Sequence, residues 1–282
     1  MKMSGANLDF GYVIARNILL DALSALKAYG RESVIVVGAQ AIYLRCEERA
    51  TIIPPFTIDS DLVLDLARRI SPAPIKTHLE TLGYSLRNGQ PGLYQAPNLA
   101  VEAQAAGGVD LFVPAAYAIG NHRRDANIPG DPSAARRQRG LELTIIDRTP
   151  MIIRSLDPTN EREVEALVAG PAALLAAKLV KICERLKGDA ARVEPKDVLD
   201  VYRILYSYDA KILAKTFLDF RAHDVAGPII VEAIACMRDE FVGNDARALN
   251  LLEKYLDAYP VRFEVIESTR LLTEDLLEAL SL

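Results

Sequence analysis

Val34-Ile35-Val36-Val37-Gly38-Ala39 and, about 20 residues on, Thr57-Ile58-Asp59-Ser60-Asp61-Leu62-Val63-Leu64 are the stretches whose reading decides the fold. The run from Ser33 to Val37 is short and β-branched, the composition of a buried strand. Gly38 punctuates it, and residues 41–48 read as a short helix. Ile53-Pro54-Pro55-Phe56 reads as a loop, because two prolines break both helix and ladder. A second strand follows over residues 58–66. Strand, glycine turn, helix and acid-bearing strand is an arrangement that can bring phosphates and a divalent metal together.

Residues i and i+2 of a strand share a face, roughly 6.6 Å apart. Asp59 and Asp61 therefore project together, while Ile58, Ser60 and Leu62 face the other way. Two carboxylates that close resist joint ionisation unless a cation lies between them. Hard oxygen donors suit Mg²⁺ or Mn²⁺, which take the rest of their shell from water and substrate phosphates. A two-metal site needs a third carboxylate. Asp110, in Gly108-Val109-Asp110-Leu111-Phe112-Val113, is a lone acid in an apolar strand and costly there unless paired or metal-bound. Glu102 competes for the role, and Gly107-Gly108 is expected to turn the chain so that 102 and 110 lie on paired strands.

Working outward, residues 10–28 carry apolar positions at helical spacing, ended by Gly30. Residues 74–82 read as a helix, and short strands are expected over 84–87, 93–95, 100–104, 109–113, 141–146 and 151–153. Residues 115–140 read as a long excursion with a polar end. Beyond Leu156-Asp157-Pro158 the pattern becomes helix after helix, over 160–169, 171–187, 195–207, 210–222, 227–239, 245–257 and 261–280. The expected fold class is α+β: a mixed β-sheet domain with flanking helices over 1–156, then an all-helical domain over 157–282. The 282 residues are half apolar, enough for a real core. No apolar run approaches the roughly 20 residues of a membrane span. The three cysteines form no CxxC pair or disulfide framework, so cytoplasmic residence is expected. A net charge of −5 argues against a wholly basic nucleic-acid binder.

With Gly38, Thr57-x-Asp59-x-Asp61 and Asp110 in place, the sequence resembles the polymerase-β-like nucleotidyltransferases, and within them the AbiE-type toxins of type IV toxin–antitoxin systems. Pro171 to Leu179, Arg185, and Lys196-Asp197-Val198-Leu199-Asp200-Val201-Tyr202 resemble that group's "Lys-Leu … Arg … Lys-Asp-x-x-Asp-Leu" helices. The likeness spans roughly residues 30–206. It implies a nucleotidyltransferase-type fold of two lobes with a nucleoside triphosphate, ATP or another NTP, bound between them. It implies that Asp59 and Asp61 hold Mg²⁺, with Asp110 as third metal ligand and base. Gly38 would let the chain approach the triphosphate, Lys178 would meet the phosphates, and Asp197 and Asp200 would complete the cleft. The chain departs from the family in having Gly38-Ala39 where Gly-Ser or Gly-Gly is usual, which removes a hydroxyl contact to phosphate. Backbone N–H groups of the following helix can bind phosphate, with Gln40 as a substitute donor. The implied acceptor is an RNA, tRNA among the candidates, or a protein, and the implied partner a cognate antitoxin.

Lys178, Lys181 and Arg185 fall on one helical stripe. Pro195 starts the helix that bears Asp197 and Asp200, and Asp197 either favours its dipole or pairs across helices with Lys178. Residues 121–140 hold five arginines, at 123, 124, 136, 137 and 139, and read as a mobile loop able to guide an RNA acceptor or the triphosphate. The histidines, His78, His122 and His223, form no metal-binding spacing. No Walker A loop, GxGxxG or GxSxG motif is present, so a P-loop kinase, Rossmann dehydrogenase or serine hydrolase is unsupported. The leading expectation is transfer of a nucleotidyl group to an acceptor hydroxyl. The alternatives are a nucleotide-binding regulatory protein of the same fold and an antibiotic-type, small-molecule nucleotidyltransferase.

Overall fold

The structure is a computed structural model that describes residues 10–46, 57–71, 73–97, 107–120, 124–243 and 245–281. The chain is a mixed α/β protein with one mixed sheet. Its described residues divide into two compact units, one drawn from 1–44, 53–138 and 149–168, the other from 45–52, 139–148 and 169–282.

The first unit opens with helix α1 (Phe10–Leu26), closed by a 3₁₀ turn and by Gly30 at φ 115°, the cap expected there. Strand β1 (Val34–Val37) runs straight into helix α2 (Gly38–Arg45), which starts three residues before the expected 41. β2 (Asp59–Leu64), helix α3 (Ile75–Thr81), β3 (Ser85–Leu86), β4 (Leu93–Gln95), β5 (Gly108–Pro114), β6 (Arg136–Gln138), β7 (Arg148–Arg154) and β8 (Glu163–Ala169) follow. The strand order is β3-β4-β5-β2-β1-β8-β7, with β6 also paired to β5. β2 is antiparallel to β1 and parallel to β5, and β8 is parallel to β1. The expected strand over 100–104, Glu102 and the loop over 53–56 lie outside the described residues.

Four expectations need correction. Residues 163–169 form β8, not the helix expected over 160–169. Glu, Ala and Leu favour a helix, but pairing of Leu167 and Val168 with Ile35 and Val36 of β1 overrides that preference. Residues 141–146 are not a strand: Glu142–Ile145 make a 3₁₀ turn packed on the helices of the second unit. The excursion over 115–140 contains β6. The units accordingly do not divide at 156/157, since β8 belongs to the sheet and 139–148 to the second unit.

The second unit holds α4 (Pro171–Lys187), α5 (Pro195–Ser207), α6 (Ala210–Phe220), α7 (Ala226–Cys236), α8 (Arg247–Tyr255) and α9 (Arg262–Ala279). The first two match the expected spans, because Pro171 and Pro195 each supply a first-turn residue that needs no donor. Asp147 accepts from the backbone N–H of Ala173 at 2.9 Å and so satisfies one of the orphan donors at the start of α4. α4 packs on α5 and α7, and α5 on α8 and α9, around buried Leu175, Leu179, Val201, Phe217 and Phe241.

α1 lies across β2 and β5 and is tied to the sheet by polar contacts inside the core. Gln40 is buried, its amide nitrogen donating to Ala15 O at 2.9 Å and to Ser60 Oγ at 3.0 Å. Its amide oxygen accepts from Arg16 Nε at 2.8 Å. Arg16 is itself buried, and burial lowers its pKa. Truncating Gln40 would strand these groups together. Gln40→Ala is expected to cost about 1–3 kcal/mol, as for any buried polar group left unpaired. Chemical denaturation would read the loss, and an unchanged midpoint would show that Gln40 does not anchor α1.

Candidate active site: an acidic cluster on the sheet

The registers of β1, β2 and β5 assemble the expected carboxylates. Asp61 pairs with Asp110 across the parallel β2–β5 ladder, and Asp59 with Gly108. Neighbouring strands are about 4.8 Å apart, so Asp61 and Asp110 are adjacent on one face, with Asp59 two residues along on the same face. Ser60 and Leu62 point the other way and are fully buried, as the alternation requires.

Gly38 completes the pocket wall. Asp61 is paired with Val37, which places its carboxylate beside the first residue of α2. A Cβ on Gly38 would stand 1.9 Å from Asp61 Oδ2, and φ there is +66°. Both facts demand glycine. In this structure the close approach that Gly38 permits is that of Asp61. The helix dipole at this end favours the negative charge.

Arg87, which sequence reasoning missed, lies against the same cluster. Its Nη2 is 2.5 Å from Asp110 Oδ1 and its Nη1 is 3.4 Å from Asp59 Oδ1. Burial, then the charges of Asp61 and Asp59, push the Asp110 pKa up to about 8, against the opposing pull of Arg87 and of Arg136 on β6. A lone arginine before an Asn-Gly turn gives no sequence signal. Only the chain of registers, β3 to β4 to β5, carries it to Asp110.

The donor set of Asp59, Asp61 and Asp110 fits Mg²⁺ in chemistry: hard oxygens whose mutual repulsion calls for a cation. As arranged around Arg87, however, no group of three or more His, Cys, Asp or Glu side chains among the described residues is set to hold a metal ion. The guanidinium of Arg87 lies against Asp59 and Asp110.

In the second unit, Lys178 pairs across helices with Asp197 at 2.6 Å and Asp200 at 2.8 Å, the sharper of the two expectations. Lys181 also reaches Asp197, Arg185 reaches Asp197 and Glu194, and Arg203 reaches Asp200. Both aspartates are almost wholly buried. Burial alone would lower the Lys178 pKa, but Asp197 and Asp200 outweigh it and raise it. For Asp197, burial acts upward and is outweighed by Lys178 and Lys181, which hold it well below the usual carboxylate range. Burial, and then Lys178, lower the Lys181 pKa. The ammonium of Lys178 is committed to two carboxylates inside the fold.

Other expected residues have structural duties. Gln40 is spent in the core, so it is no substitute phosphate donor at α2. Arg136 and Arg137 are in β6, and Arg139 pairs with Glu184 and Glu232. The arginine run is therefore not a mobile loop over these residues. Arg123 and His122 lie outside the described residues. His78 bonds Ala25 O, and His223 accepts from the backbone N–H groups of Val225 and Ala226. No helix among the described residues is long and apolar enough to cross a membrane. No family model, curated protein or solved structure matches the chain.

Two outcomes follow from this geometry. Gly38→Ala is expected to destabilise by at least the 1–2 kcal/mol of a left-handed alanine, about 2–6 °C in melting temperature. Wild-type melting would contradict the contact with Asp61. For Asp110 the folded pKa is raised above the unfolded value of about 3.9. The protonated form is therefore the one the fold favours. Its contribution is complete below pH ~4 and is lost as pH rises through about 8. In chelator, Asp110→Asn should gain on wild type by several degrees between pH 5 and pH 9. A constant difference across that range would show that Asp110 does not titrate there.

Proposed function

We propose that the protein is a divalent-metal-dependent nucleotidyltransferase of the polymerase-β-like kind, moving a nucleotidyl group from an NTP to an acceptor hydroxyl. The observation that carries this reading is the convergence of Asp59, Asp61 and Asp110 on one face of adjacent parallel strands beside the Gly38 start of α2. Mg²⁺ held by these three aspartates would supply charge neutralisation for the triphosphate and its leaving pyrophosphate. The oxygen of the acceptor bonds to the α-phosphorus as the bond to the bridging oxygen of pyrophosphate breaks. The hydroxyl proton goes to the Asp110 carboxylate. Catalysis of this sort rests on positioning and fixed charge.

An RNA or protein acceptor, and a toxin role with an antitoxin partner, rest on the family resemblance alone. A second reading, a nucleotide-binding regulatory protein of this fold, is favoured by Ala39, which brings no hydroxyl to phosphate, and by Arg87 lying on the acids.

Incubation of the chain with each α-³²P-labelled NTP, Mg²⁺ and total cell extract tests the activity. Label should enter RNA or protein, and Asp61→Asn should lower transfer about 100-fold or more without loss of fold. Transfer by Asp61→Asn at the wild-type rate would move the site elsewhere. Metal-dependent NTP binding with no transfer to RNA, protein or small solutes would favour the regulatory reading.

A further inference from the structure

We propose that Arg87 is a displaceable counter-cation of the Asp59–Asp61–Asp110 cluster, holding a free divalent cation off these carboxylates until it swings away. The inference rests on the nucleotidyltransferase reading, since it takes the three aspartates to be a metal site. Its ground is the position of the guanidinium. Nη2 and Nη1 of one side chain span Asp110 and Asp59, which are two of the three ligands a metal needs. A hard cation must take the same oxygens, and a dication and a guanidinium on shared carboxylates repel each other. Either the arginine or the metal occupies the cluster.

The way Arg87 is mounted suits release. It follows the two-residue edge strand β3, and Asn88 and Gly89 behind it turn with φ of +53° and +65°. So short an edge element is held by few contacts and belongs to the low-stability end of the structure. The side chain is about a third exposed, so the guanidinium has water to move into. Arg87 Nε is buried and finds no hydrogen-bond acceptor among the described residues.

The contrast with the second unit is direct. Arg203, opposite Asp200, is only 4% exposed, on the same helix as its partner and fixed by the packing of α5. Lys178 sits in the middle of α4 and is buried with both its aspartates. Those cations lie within long helices and are almost wholly buried, whereas Arg87 is about a third exposed and follows a two-residue edge strand.

The test is a Mn²⁺ titration of the full-length, metal-free chain, followed by the electron paramagnetic resonance signal of the free ion. Wild type, Arg87→Gln, Arg87→Lys and Asp61→Asn are compared. A competitor that occupies the site most of the time lowers apparent affinity by the fraction of open sites. Arg87→Gln is therefore expected to bind Mn²⁺ about 10-fold or more tightly than wild type, and Arg87→Lys to fall between them. Asp61→Asn, alone and combined with Arg87→Gln, should abolish the site. If Arg87→Gln proves unfolded by circular dichroism, Arg87→Lys alone decides, and binding no tighter than wild type overturns the proposal. Equal or weaker binding by a folded Arg87→Gln, with wild type binding through Asp61, overturns the counter-cation role and leaves the nucleotidyltransferase reading standing. No Asp61-dependent binding in any variant overturns both.

Discussion

Three carboxylates on adjacent strands of a largely buried sheet repel one another, and much of the first unit is arranged around that repulsion. Asp61 and Asp110 are direct neighbours in the β2–β5 register, and Asp59 shares their face. Charges so close, and partly withdrawn from water, cannot all ionise unaided. The structure answers in three ways. Gly38 removes a side chain so that Asp61 lies against the positive end of α2. Arg87 spans the other two. Asp110 takes the remaining repulsion, together with its burial, as a raised pKa.

The second unit meets a comparable problem with fixed parts. Asp197 and Asp200 are buried, yet each is opposed by more than one cation drawn from α4 or α5. Such networks contribute little net stability compared with apolar packing, but breaking one partner is costly. The same chemistry, a carboxylate and a cation, is thus used for permanence in one unit and leaves room for exchange in the other.

How much of this was legible follows the range of the interactions. Local rules place Asp59 and Asp61 on one face, bound α4 and α5 by their prolines, and stop α1 at Gly30. They also pick out Asp110, because a lone acid in an apolar strand needs a partner wherever that strand lies. What local rules miss is decided by tertiary pairing. Glu163 to Val168 is rich in helix formers and becomes a strand because β1 offers its edge. The apolar run at 141–146 looks like a strand and is a single turn buried against helices. Gln40 looks like a polar residue next to a phosphate-binding turn, and nothing in its neighbours reveals that Ala15, Arg16 and Ser60 claim it. Arg87 reaches the acids through two successive strand registers that no spacing rule foretells.

The glycine turn changes meaning in the light of this geometry. In the sequence, Gly38 stands for a close approach of phosphate to backbone. In the structure its missing Cβ is already accounted for by Asp61, at a distance no side chain could tolerate. Gly38 is therefore required whether or not phosphate ever binds, and its presence cannot be counted twice. A carboxylate at the start of α2 also occupies the place where the helix would attract an anion, so a triphosphate there would meet repulsion before attraction. The weight of the functional reading moves from the turn to the carboxylates, and from backbone donors to whatever cation stands between acid and phosphate. Among the described residues Arg87 lies on Asp59 and Asp110, and Arg136 of β6 also acts on Asp110. On the proposed nucleotidyltransferase reading, a dication in place of the guanidinium would bring the cluster the greater positive charge that a triphosphate calls for.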